Sequence, residues 1–175
     1  MRKVPIRFIP EVIFYSMKNY ISRKPLVISF EVTLSCNANC VHCDLGGRIK
    51  NESRIPPEKY REMIRYYRPA VIQLSGGEPL LREDLIEVVK ATKINQYFPY
   101  TILVTNGWLL TKENYTTLRE AGVNQFSVSL DFPDKRHDEF RKLKGLFNKL
   151  DRTLPELSAM GYSDIVLNTA ITNAN

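Results

Sequence analysis

Five β-branched apolar runs are spaced along the chain with helix-period segments between them, and this rhythm restricts the fold more than any other feature. The runs are Leu26 to Thr33, Ala70 to Ser75, Tyr100 to Thr105, Gln125 to Leu130 and Ile165 to Ile171. Val, Ile, Thr, Phe and Tyr recur in them, the residue types that fit a pleated, half-buried surface. Successive runs begin at least 25 residues apart, too far for a tight hairpin and enough for a crossover helix.

The intervening segments carry helix signals. Tyr60, Met63, Ile64 and Tyr67 mark one apolar face behind Pro57, and Leu85, Val88 and Val89 follow Asp84. Tyr115 and Leu118 lie between a capping Thr111 and a stop at Gly122, while Phe147, Leu150, Leu154 and Leu157 run toward Gly161. The pattern predicts an α/β fold of parallel βα repeats, open or curled toward a barrel. Helices cover its outer face, and chemistry sits at the C-terminal ends of its strands. The sequence stops soon after the fifth run, so the expectation is an incomplete wall: the front part of something longer, or a chain completed by a partner.

Residues 1–24 form a preface to the core at 25–175. Within residues 9–23, Ile9, Val12, Ile13, Met17, Tyr20 and Ile21 make an apolar stripe beside Lys18 and Arg23. Such a helix packs on its own domain or makes a peripheral membrane contact. No run reaches membrane-spanning length and no secretory leader precedes the core, which makes the cytoplasm the expected location. The formal charge of +6 permits anionic partners. Aromatic and basic residues do not interleave as nucleic-acid binding requires, so nucleic acid is not indicated.

All three cysteines, Cys36, Cys40 and Cys43, fall directly after the first run. An odd, crowded set is a poor disulfide framework and suits metal binding in a reducing compartment. Three thiolates are one short of a closed tetrahedral site, which leaves a position for reaction. Zinc, a thiol–disulfide site and unlinked structural cysteines are the alternatives. A nucleotide-phosphate enzyme is disfavoured, because the loop after the first run is cysteine-rich rather than glycine-rich.

The order C-x3-C-x2-C after a first strand resembles the cluster motif of the radical S-adenosylmethionine (radical SAM) superfamily. Ser75-Gly76-Gly77-Glu78-Pro79, behind the second run, resembles that family's GGEP segment. The likeness extends from about Pro25 to Ile171. It implies a TIM-like partial (β/α)6 barrel in which Cys36, Cys40 and Cys43 hold three irons of a 4Fe-4S cluster and S-adenosylmethionine (SAM) chelates the fourth. His42 takes the place of an aromatic that often precedes the last cysteine.

By the same resemblance Gly76, Gly77, Glu78 and Pro79 hold the methionyl amine of SAM, and Ser129 and Asp131 are candidate ribose contacts. Thr105 and Asn106, at the end of the third run, are further ligand candidates because parallel sheets bind there. Without the family, each of these fits a strand-end turn or a helix cap equally. His137 to Arg141 resembles the H-D-x-x-R stretch of some members, which makes Arg141 a candidate for the SAM carboxylate or a substrate anion.

The activity implied is reductive cleavage of SAM to a 5′-deoxyadenosyl radical that abstracts hydrogen from substrate, fed by a flavodoxin- or ferredoxin-like one-electron reductant. Peptide or protein, cofactor precursor, lipid and tRNA all remain open as substrates. The non-catalytic alternative is a 4Fe-4S electron-carrier or assembly subunit, or an inactive fragment.

Overall fold

The computed structural model describes residues 9–47 and 49–173; the first eight residues of the preface and the last two of the core lie outside them. Five strands, β1 (Val27–Thr33), β2 (Val71–Gly76), β3 (Tyr100–Thr105), β4 (Gln125–Ser129) and β5 (Ile165–Asn168), form one sheet in sequential order. All four pairings are parallel. Sequential order with a helical crossover at each step is the winding of a (β/α) barrel wall, so the expected partial TIM-like barrel is the observed fold.

Local chemistry sets the crossover helices. Helix α2 (Pro57–Tyr67) opens with proline, whose missing N–H costs nothing in a first turn. Helix α3 (Leu85–Ala91) follows Asp84. In α4 (Lys112–Ala121), Thr111 and Asn114 form a reciprocal capping box, and Gly122 ends the helix at φ 130°. Two helices, α5 (Arg136–Arg141) and α6 (Leu146–Ser158), fill the last crossover. The inner face of α6 is Leu146, Leu150, Thr153 and Leu157, so Phe147 stands half-buried beside the expected stripe.

Ile72, Leu74, Leu103, Phe126 and Val128 meet Tyr60, Ile64, Val88, Tyr115, Leu118 and Leu150 in a continuous core between the sheet and its helices. Each large apolar side chain buried there is worth roughly 1.5–3 kcal/mol. The opposite face carries Ser29, Gln73, Ser75, Ile102 and Val104, which stay exposed or half-buried. β5 stops three residues before the apolar run ends. Thr169 Oγ1 donates to the Leu130 carbonyl (2.7 Å) and the Ala170 N–H to Asp131 (2.9 Å), which turns the chain in toward the end of β4.

The preface folds as α1 (Ile9–Ile21), beneath the N-terminal ends of the strands. It packs through a face that takes only Val12 from the apolar stripe. Asn19, 2% exposed, donates through Nδ2 to the carbonyls of Pro25, Tyr67 and Arg68. Tyr15 stacks on Phe98 at 5.4 Å. Asn95 Nδ2 donates to the Glu11 carboxylate. Among the described residues no helix is long and apolar enough to cross a membrane.

Candidate active site

β1 delivers the chain to a loop that must return to α2, and the three cysteines occupy its first turn. They are unpaired, and their exposure rises along the loop from buried Cys36 through Cys40 to exposed Cys43. The loop is pinned from several sides. The Cys36 N–H donates to the Gly47 carbonyl (2.8 Å); the N–H groups of Asn39 and Val41 donate to the carbonyls of Arg141 and Phe140 (3.3 and 2.9 Å). Two sulfurs accept backbone N–H groups, Cys36 from Ala38 and Cys43 from Leu45, both at 3.4 Å. Arg141 Nη1 lies 3.8 Å from Cys40 Sγ.

Behind this loop lies a cavity of about 110 Å³, whose walls come from the C-terminal ends of β2, β3 and β4, the cysteine loop and Arg141. Cys36, Cys40, His42 and Cys43 line one side; Gly76, Gly77, Thr105, Asn106, Ser129 and Arg141 line the others. Ten of the sequence candidates therefore converge on one space. Glu78, Pro79 and Asp131 are the exceptions: all three are buried and stand behind the wall.

Burial pushes the Cys36 and Cys40 thiols up, although the Arg141 guanidinium works against it at Cys40. These groups are thiols until a metal takes the proton's place. His42 stacks on Phe140 at 4.7 Å and 16°, and desolvation, then Arg141, holds its imidazole below the ordinary histidine range. Among the described residues no three His, Cys, Asp or Glu side chains gather about a single-ion position. An iron–sulfur cluster asks for a different cradle, in which each thiolate reaches a separate iron around a shared space.

The glycines serve packing as well as access. Gly76 has φ +112°, and a Cβ on it would stand 2.2 Å from the Thr33 carbonyl oxygen; on Gly77 a Cβ would stand 2.1 Å from that of Ser35. The Gly77 and Glu78 N–H groups donate to those same carbonyls at 2.7 and 2.8 Å. The close approach of β2 to the chain entering the cysteine loop therefore excludes any side chain at either position.

Glu78 is wholly buried. Its carboxylate accepts from Thr105 Oγ1 (2.7 Å), the Asn106 N–H (2.8 Å) and the Leu80 N–H (3.1 Å). Burial raises its pKa and these three donors oppose the rise. The residue ties the end of β2 to the end of β3, which fixes Thr105 and Asn106 at the cavity wall. Asn106 Nδ2 in turn donates to Asn37 Oδ1 within the cysteine loop (2.7 Å).

Asp131 organises the far wall. It accepts from Arg141 Nε (2.6 Å) and the Ala170 N–H (2.9 Å), while its own N–H donates to His137 Nδ1 (3.2 Å). Burial acts to raise its pKa, but Arg141, the Ala170 N–H and His137 together hold it below the usual range. Asp138 accepts from the Phe147 N–H (2.7 Å) and from the Gly145 N–H, capping α6. The His137 to Arg141 stretch is thus a bracket joining β4, α6 and the cysteine loop.

Sequence reasoning missed Glu52 and Arg82. Glu52 accepts from Thr33 Oγ1 (2.7 Å), Ser35 Oγ (3.1 Å), Arg54 Nε (3.1 Å) and the Leu34 N–H. Burial works against its charge, yet these donors bring its pKa down to about 2. Arg82, 3% exposed, donates to the Val32 and Ile55 carbonyls, each at 2.7 Å, and pairs with Asp84. Arg54 and Asp84 stand two positions from them, but their other partners belong to distant stretches of the chain.

Known proteins resemble this chain in sequence and in fold. The AdoMet-dependent heme synthase of Methanosarcina barkeri is 35% identical over 164 residues, covering 86% of this chain and 44% of that protein. A probable GTP 3′,8-cyclase of Methanopyrus kandleri is 30% identical over 163 residues, covering 90% and 51%. The chain thus spans about half the length of these relatives. The crystal structure of Streptococcus suis SuiB bound to precursor peptide SuiA superposes with a TM-score of 0.68 at 18% identity, covering 99% of this chain and 40% of SuiB; that likeness concerns the fold. The sequence profile of the Radical SAM superfamily matches residues 30–172, and the chain belongs to that superfamily.

Proposed function

We propose that Cys36, Cys40 and Cys43 hold a 4Fe-4S cluster and that the adjoining cavity receives SAM, making the protein a radical SAM enzyme. The observation that carries this reading is the convergence of the three unpaired cysteines with Gly76, Gly77, Thr105, Asn106 and Ser129 around one cavity at the C-terminal strand ends. The residues fit the group: Ala38 and Leu45 N–H groups and the Arg141 guanidinium all point donors at the sulfurs, which is how a protein steadies cluster thiolates. When bound, the cluster and SAM supply one-electron cleavage of the C5′–S bond, giving methionine and a 5′-deoxyadenosyl radical that takes a hydrogen atom from substrate.

The chain's own residues bind and orient. Backbone groups at Gly76 and Gly77 offer acceptors for the SAM ammonium, and Thr105, Asn106 and Ser129 present polar groups for the remainder of SAM. Glu78 and Asp131 act from behind the wall as positioning residues, the first through Thr105 and Asn106 and the second through Arg141. A flavodoxin- or ferredoxin-like protein is the proposed electron donor. A heme synthase and a GTP cyclase share this core at 30–35% identity, so the core carries the initiating chemistry and the substrate is chosen elsewhere.

Iron binding tests the assignment apart from turnover. After anaerobic reconstitution the wild type is expected to take up about four irons per chain, one cluster, with the broad visible absorbance of a 4Fe-4S centre. Single replacement of Cys36, Cys40 or Cys43 by Ala should abolish stable uptake. Full iron content in any of these variants would refute the ligand set.

A further inference from the structure

The helix α1 wears its amphipathicity inside out. Val12, Tyr15, Ser16 and Asn19 face the domain, while Ile9, Ile13, Phe14, Met17, Tyr20 and Ile21 are 44 to 78% exposed. These six fill one unbroken arc of roughly 140° of the helix circumference. A surface helix normally turns such a stripe inward, and an exposed contiguous apolar patch marks a contact with something else.

Charge identifies what that is. Next to Phe14, on the side of Lys18, lies a cavity of about 420 Å³ between α1 and the end of α2. Lys18, Lys24, Arg65 and Arg68 line it together with Ser22 and Tyr66, and none of its lining residues is acidic. Glu11 on the same helix is engaged elsewhere, by Asn95. Lys24 Nζ rests 4.2 Å from the Tyr66 ring centroid and Arg68 4.8 Å from that of Tyr15, so cationic heads and aromatic bodies share the rim. An apolar arc flanked by a cationic, aromatic-edged pocket is the signature of a helix lying in a lipid interface.

We infer that α1 docks the protein on an anionic phospholipid surface, with Ile13, Phe14, Met17 and Ile21 entering the acyl boundary and the Lys18, Lys24, Arg65 and Arg68 pocket taking a lipid phosphate. A second copy is a poorer occupant. It would bring two cationic pockets together in chains already carrying +6 each, which like charge opposes. Docking through α1 uses the end of the sheet opposite the cysteine loop and leaves the cavity mouth open. The inference therefore stands independently of the cluster assignment.

The test is cosedimentation of the full-length protein with vesicles of phosphatidylcholine, with and without phosphatidylglycerol, alongside light scattering for oligomeric state. The wild type should partition onto the phosphatidylglycerol vesicles at low salt and be released by high salt. A Phe14→Ser, Met17→Ser double variant, folded by circular dichroism, should lose at least about tenfold in partitioning. Lys18→Gln and Arg65→Gln should each lose about fivefold on phosphatidylglycerol vesicles and little on phosphatidylcholine alone. A wild type that stays in the supernatant with anionic vesicles, or a dimer that the double variant dissociates, would overturn the inference, as would undiminished binding by that variant.

Discussion

Arg141 reaches the cysteine loop in two chemically distinct ways. Its backbone carbonyl accepts the Asn39 N–H, and its guanidinium spans Asp131 Oδ2 at 2.6 Å and Cys40 Sγ at 3.8 Å. A positive donor beside a cluster sulfur favours the more negative, reduced state and so raises the reduction potential. Arg141→Gln keeps the backbone bond and removes the charge. It should lower the midpoint potential of the reconstituted cluster at unchanged iron content, measured by redox titration followed by electron paramagnetic resonance. Asp131→Asn should shift it the other way by less, since it removes the carboxylate that offsets the guanidinium beside Cys40. An unchanged potential in Arg141→Gln would remove the guanidinium from this role. Glu52 makes a prediction in pH. Its pKa falls from 4.5 to about 2 on folding, so its contribution to stability is full above 4.5 and is lost as pH drops toward 2. Thermal melts of Glu52→Gln should show a lower Tm than wild type at neutral pH and a difference that closes across that window; a gap constant with pH would contradict the assignment.

The contacts of β1 and β2 with the loops that follow them decide where the cysteines stand. Gly76 and Gly77 let the two chains meet at a separation no Cβ tolerates. Gly77→Ala should destabilise the fold by about 1–3 kcal/mol as an overpacked site, read from denaturant unfolding. It should also reduce iron uptake, because the carbonyl it strikes belongs to Ser35, one residue before Cys36. A variant with wild-type stability and iron content would show that the close approach is dispensable. Much of this level was legible in the sequence. Pro57, Thr111 and Gly122 are local signals that act within one turn, and they mark α2 and α4 where those helices stand. The strand-end candidates Thr105, Asn106 and Ser129 were legible because parallel sheets expose those ends. Glu52, Arg82 and the link from Asp131 to Arg141 were not. Arg54 and Asp84 apart, their partners are brought near by register and loop path, which no short window of sequence contains. The packing face of α1 was hidden for a related reason: periodicity locates an apolar stripe, but Asn19 and Tyr15 chose the inward side through carbonyls and a ring supplied by other elements.

Across the whole molecule, the two ends of the sheet hold different chemistry. The C-terminal ends gather cysteines, glycines and small polar groups around a cavity, while the N-terminal side carries α1 with its apolar arc and cationic flank. Within the described residues the outer edge of β5 pairs with no further strand, and Val166 and Leu167 are 44 and 52% exposed. The central claim concerns the first of these ends and is most directly tested by one assay: the anaerobically reconstituted protein is reduced, given SAM, and assayed chromatographically for 5′-deoxyadenosine. The account predicts product from the wild type and none from the Cys36→Ala, Cys40→Ala or Cys43→Ala variants. A protein that holds its full cluster yet yields no 5′-deoxyadenosine, or a cysteine variant that still yields it, would contradict the account.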